Sequence, residues 1–251
     1  MFDYASVLAA GQRLASYELL SPLRDCQVGS AFLAVRPGPD EFQKRVVLHC
    51  ADRAMLEGIA AEAKRAARLS HARIAHLLDV GVSGGICYVA MEQVTGTTLR
   101  AALLRHGRLP WRAVAQAVRD VALALAYAHA RRDDDGRLLG IIHGRISPGR
   151  ITIEPTQSAR LTGLGVSWAW PDQLGFGAPE ESRGEPMDGR ADVFALGVML
   201  RRCARAEDMP ERLKDLVDRT TRPLPEHRCT AAEMHQALAA ALRDSRAEAA
   251  E

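Results

Sequence analysis

The chain has 251 residues, 47% apolar and 25% charged, the balance of an ordinary globular protein with room for one large domain or two lobes. Its 33 basic and 31 acidic residues leave a net charge of +2, and aromatics make up only 5%, so composition argues against a nucleic-acid partner. The five cysteines (Cys26, Cys50, Cys87, Cys203, Cys229) lack CxxC spacing and read as reduced core thiols rather than a disulfide framework or zinc site. No apolar run reaches the length of a membrane span, and Met1-Phe2-Asp3-Tyr4 does not start a signal peptide, so a cytoplasmic location without a membrane partner is expected.

Residues 1–16 carry a short amphipathic pattern (Phe2, Val7, Leu8, Leu14) and form an N-terminal extension, either helical or mobile. From Tyr17 to Val94 strands are favoured, with apolar runs at 31–35, 45–49 and 86–91 bounded by Gly, Pro and Asp. One helix interrupts them, over roughly 52–69, placing Leu56, Ile59, Ala63 and Ala66 on one face. Beyond Gly96 the character turns helical. Residues 111–131, without internal Gly or Pro, predict a long buried helix ended by the Asp133-Asp134-Asp135-Gly136 turn. Short strands are expected near Ile141-Ile142 and over 151–153, then an irregular segment and helices near 190–206, 210–221 and 230–246. Residues 243–251 read as a fraying tail.

His143-Gly144-Arg145-Ile146-Ser147-Pro148-Gly149-Arg150 resembles the catalytic loop H-R-D-x-K-P-x-N of Hanks-type protein kinases, and other motifs stand in the family's order. Glu62 followed by Leu69-Ser70-His71 resembles the C-helix and its L-x-H. Met91-Glu92-Gln93-Val94 resembles a gatekeeper and hinge, Gly177-Ala178-Pro179-Glu180 the A-P-E segment, and Asp192-Val193-Phe194-Ala195-Leu196-Gly197 the helix that follows it. The resemblance covers Tyr17 to Leu242 and is closest to bacterial Ser/Thr kinases. It implies an α+β, bilobal protein-kinase-like fold. Residues 17–93 form a small β-rich N-lobe with one C-helix, and residues 94–242 a compact, mainly helical C-lobe lacking most of the G-helix region. It also implies a buried Glu180–Arg228 ion pair, Asp192 holding the catalytic-loop backbone and His143 packed beneath it.

Against that pattern, the residues that handle ATP and magnesium are replaced. The catalytic Asp falls on Arg145, the metal-binding Asn on Arg150 and the D-F-G Asp on Gly163. The strand lysine becomes His49, which could still hydrogen-bond Glu62. The glycine-rich loop reads Arg24-Asp25-Cys26-Gln27-Val28-Gly29, with side chains at its first two glycine positions. The adenine slot implied by Ala31, Val47, Met91, Glu92, Val94 and Thr152 is altered on both faces, and a shortened activation segment carries Trp168 and Trp170. A guanidinium neither accepts a proton nor ligates Mg²⁺. The expectation is therefore not an enzyme but a pseudokinase, with no metal site, no cofactor, and ATP binding absent or weak. It would act as a protein-binding, allosteric module whose partner is an active kinase or another signalling protein. The alternatives are a metal-independent nucleotide or anion sensor built on Arg24, His49, Arg145 and Arg150, and last a residual Ser/Thr kinase. For Arg145 and Arg150, pairing with local carboxylates such as Glu62 is weighed against anion binding.

Overall fold

The computed structural model describes residues 8–23, 30–40, 42–52, 56–165, 175–207 and 209–247. Two units emerge, one gathering residues 1–70, 75–94 and 165–172 and the other residues 71–74, 95–164 and 173–251.

Period-two alternation builds the first unit. Strands β1 (Arg13–Leu14), β2 (Tyr17–Pro22), β3 (Ser30–Pro37), β4 (Gln43–Asp52), β5 (Leu77–Ser83) and β6 (Ile86–Glu92) form one antiparallel sheet in the order β1-β2-β3-β4-β6-β5. In β4 the residues Val46, Leu48 and Cys50 enter a cluster with Leu19, Phe32, Tyr88 and Ala90. Ala51, on the opposite face, packs with Cys87, Val89 and Met91 against Ile59 and Ala63 of helix α1 (Leu56–Ala66). His49 shares the parity of Ala51 and is buried. The helix is shorter than the 52–69 expected, because Asp52 still pairs with Ile86 in the sheet and residues 67–69 close in a turn. Strand β1 falls within the stretch read as an extension, and its register with β2 pairs Leu14 with Tyr17.

The second unit is built around a helix buried on most of its circumference. Helix α3 (Trp111–His129) buries Val114, Ala115, Val118, Val121, Ala122 and Leu125. It packs against α5 (Gly189–Cys203) and α7 (Ala231–Ala247). Strands β7 (Thr97–Thr98), β8 (Ile151–Ile153) and β9 (Ala159–Leu161) form a small antiparallel sheet. Helices α2 (Leu99–His106), α4 (Pro179–Ser182) and α6 (Glu211–Thr220) complete it. Residues 204–210 alone join α5 to α6.

The strand expected near Ile141-Ile142 does not form. Ile141 is buried, but among the described residues the segment finds no partner strand, and the amides just after it turn to the Asp192 carboxylate instead. No helix among the described residues is long and apolar enough to cross a membrane.

Candidate functional site

Asp192 lies in the first turn of α5, whose N-cap Asp188 accepts from the Arg190 amide at 2.7 Å. Its Oδ2 accepts from the His143 amide at 2.9 Å and from His129 Nε2–H at 2.8 Å; its Oδ1 accepts from the Gly144 amide at 2.7 Å. Burial pushes the Asp192 carboxyl up, but the His129 and backbone donors outweigh it and hold the group below the ordinary carboxylate value. Gly144 takes φ +74°, the left-handed region that lets consecutive amides converge on one carboxylate. His143 is buried; its Nδ1 accepts from the Arg145 amide at 3.2 Å and its Nε2–H donates to the Thr162 carbonyl at 3.0 Å. One nitrogen accepting and one donating fixes the neutral imidazole, and burial lowers its pKa accordingly.

Arg145, at the position of the family's catalytic Asp, reaches into the second unit's own activation segment. Its Nη1 stands 2.7 Å from Glu181 Oε1, and both side chains are partly shielded from water. Gly177 makes room, since a Cβ there would come within 2.6 Å of Glu181 Oε2. The carboxylate that meets Arg145 is thus Glu181. Glu62 lies 3.8 Å from Arg65 on its own helix, and burial pushes its carboxyl up, with Arg65 opposing.

Arg150 ends a single 3₁₀ turn from Pro148, and its carbonyl accepts from the Thr162 amide and hydroxyl. Its guanidinium lies over Gly163, where a Cβ would sit 3.2 Å from Nη1. Gly163 itself takes φ +84°, so an aspartate there would be strained and directed at a cation. Magnesium takes an octahedron of oxygen ligands, and an Arg and a Gly at the family's two metal-binding positions do not fit that need. Among the described residues no group of three His, Cys, Asp or Glu is placed to hold a metal ion.

Glu180 and Arg228 are brought together and buried. Arg228 Nη1 donates to Glu180 Oε1 at 2.6 Å and Nη2 to Oε2 at 2.8 Å. The remaining guanidinium donors are taken by the carbonyls of Arg222, Pro223 and Arg190, and the group stacks 4.8 Å from the Phe194 ring centroid. Burial pushes the Glu180 carboxyl up, yet the Arg228 bonds hold it below its ordinary value.

In the first unit, His49 pairs with Ala31 and Val89 across the sheet, and Val47 pairs with Met91. Glu92 hydrogen-bonds the His76 backbone through both its amide and its side chain. Val94 follows, half-buried, while Thr152 is buried in β8 of the other unit. Arg24, Cys26 and Gly29 lie outside the described residues, as do Trp168 and Trp170. Sequence reasoning missed His129, Thr162 and Glu181. A histidine closing a long helix and a second acid beside Glu180 are the only local signals for them.

The protein kinase domain family matches residues 29–209. The chain is 30% identical over 210 residues to tyrosine-protein kinase MasK of Myxococcus xanthus, covering 75% of this chain and 32% of that protein. It is 32% identical over 164 residues to serine/threonine-protein kinase PknA of Mycobacterium tuberculosis, covering 59% of this chain and 36% of the relative. The chain therefore spans well under half the length of these curated relatives. The Mycobacterium tuberculosis PknI kinase domain, solved as a mutant, superposes with a TM-score of 0.75 at 27% identity, covering 93% of this chain and 98% of that one. These relatives overturn the expectation that the chain is not an enzyme, because they are named protein kinases and the structural neighbour is a kinase domain. The replacements at His49, Arg145, Arg150 and Gly163 are departures from the family's motifs, and they do not demonstrate inactivity. A six-stranded sheet with its single helix, a helical second unit, the Asp192-held loop and the buried Glu180–Arg228 pair all stand in the family's order, and the chain belongs to the protein kinase domain family.

Proposed function

We propose that this protein kinase-family domain serves bacterial signalling as a regulatory module that binds a protein partner and changes the partner's activity. The observation that carries the reading is the 2.7 Å contact between Arg145 and Glu181. It ties the loop residue that the family turns toward a protein substrate to the end of the activation segment. The neighbouring Glu180 is locked by Arg228. A segment held at two consecutive residues presents an ordered surface, which lowers the entropy cost of docking a partner. Partner binding in this mode needs neither nucleotide nor magnesium. A metal-independent anion sensor at Arg145 and Arg150 is less favoured, since Glu181 already neutralises Arg145.

The test is affinity purification on the full chain, followed by reconstitution with the purified partner in the presence of EDTA. Allosteric coupling is worth about 1–3 kcal/mol, so the partner's rate should change about fivefold or more. An unchanged rate rejects the reading.

A further inference from the structure

Two chain segments rich in basic residues cross at one corner of the second unit. The α2–α3 connection contributes Arg105, His106 and Arg108, and the end of α5 contributes Arg201 and Arg205. The crossing is fixed by backbone: Leu109 bridges Ala204, the Leu109 amide donates to the Cys203 carbonyl at 2.9 Å, and the Arg205 amide donates to the Leu109 carbonyl at 2.8 Å. Arg205 Nε–H donates to the Arg108 carbonyl at 2.9 Å, which orients its guanidinium. All five side chains are exposed.

Among the described residues, Arg105, Arg108 and Arg201 make no hydrogen bond or ion pair through their guanidinium groups. Elsewhere on the same unit, exposed Arg183 and Arg212 and half-buried Arg190 each hold a carboxylate. The described acid nearest in sequence, Glu207, pairs with none of them, and Asp208 lies outside the described residues. Helix dipoles account for only part of this charge. Each helix C-terminus carries about half a negative charge, so two of them offset about one of four arginines. Arg108 and Arg205 lie beyond the ends of both helices.

We propose that this corner docks a phosphoserine- or phosphothreonine-bearing segment of a protein partner. The proposal rests on the regulatory reading above and names the chemistry by which the partner is held. The cluster contains arginine and no lysine, and the guanidinium fork matches a phosphate bidentately. A phosphate brings nearly two negative charges and three acceptor oxygens to a corner where Arg205 lies beside Arg108 and further exposed arginines flank them. Leu104, 72% exposed beside Arg105, offers an apolar contact to a neighbouring peptide side chain. One leucine buries too little area to hold a membrane surface.

Fluorescence anisotropy on the full chain tests this with a degenerate phosphoserine/phosphothreonine peptide pool. The other arms are its unphosphorylated counterpart, phosphatidylglycerol vesicles and a single-stranded oligonucleotide. The phosphorylated pool should bind about tenfold tighter than the unphosphorylated one, weaken with added salt, and lose that advantage in an Arg105→Gln/Arg108→Gln/Arg201→Gln variant. An unchanged melting temperature for the variant confirms its fold. Equal binding of both pools, equal binding by the variant, or tighter binding of vesicles or oligonucleotide overturns the proposal. If the variant still modulates a recovered partner, docking at this corner fails while the regulatory reading stands. If the wild type binds phosphopeptides through these arginines but modulates no partner, the regulatory reading fails and the docking surface stands.

Discussion

At the scale of single residues, stability and posture rest on two buried carboxylates. Replacing Arg228 by Met leaves the Glu180 carboxylate buried without its partner, a loss of about 3–5 kcal/mol, whereas a Glu180→Leu/Arg228→Met double variant should recover part of it. Denaturant titration of both variants reads the difference; equal losses would rule out a coupled pair. The pair also carries a pH signature. Glu180 is held below its ordinary 4.5, so its contribution is complete above that value and is lost as the pH falls beneath it. His143 acts higher on the scale with the same sign. Burial lowers its pKa from 6.5, so the unfolded chain takes up a proton that the folded chain refuses, and stability falls as the pH drops below 6.5. A His143→Gln variant should show a shallower fall in melting temperature through that range. Asp192→Ala removes the acceptor of two backbone amides and should cost about 2–4 kcal/mol. Restoring the family's residue at Arg145 is not neutral: Arg145→Asp sets a second carboxylate against Glu181, and a lowered melting temperature at neutral pH is expected.

At the scale of elements, helix propensity and capping explain what forms, and the available partners explain what does not. Helix α3 lacks internal Gly and Pro and is buried on most of its circumference, so it reads clearly from sequence. Leu125→Ala inside it should cost about 2–5 kcal/mol, read by thermal or denaturant unfolding. Helix α2 does not announce itself. Leu99 is its one buried residue, so its apolar periodicity is weak, and its start depends on Thr98 Oγ1 accepting from the Ala101 amide at 3.1 Å. Thr98→Ala should cost about 1 kcal/mol, with amide exchange rising in the first turn of α2 and not in α3. Ile141-Ile142 has strand composition, but among the described residues no strand pairs with it, and its neighbours' amides go to Asp192. Strand propensity needs a partner ladder, and nothing within a few residues reveals one. Gly165 is similarly opaque in sequence; it takes φ +85°, and a Cβ there would also run into Ala66 of α1, so glycine is required on both counts.

Across the whole molecule, the thiols report the packing inside each unit. Cys50, Cys87 and Cys203 are buried, and burial pushes the Cys50 thiol up to about 12 and Cys203 to about 11. Native alkylation followed by peptide mapping should leave these three unmodified until guanidinium unfolds the chain, with Cys229, only half-buried, labelled first among the described thiols. The reading of composition as reduced core thiols agrees with that burial, because the pattern places each of the three on an apolar face of a strand or helix. The order of a strand-rich unit with one helix before a helical one, the α+β class and the family were legible in the sequence, since period-two and period-3.6 patterns, turn residues and motif order are local properties of the chain. Activity was not legible from four replaced side chains, and the named kinases among the relatives corrected the expectation drawn from them. Which charges meet was decided by tertiary structure alone. Arg145 finds Glu181, Asp192 gathers His129 with the amides of His143 and Gly144, and Arg108 lies beside Arg205, each across a long stretch of chain. Sequence sets the charge and reach of each side chain, but the free energy of a charge depends on the neighbours within a few ångströms, and only the folded backbone selects those.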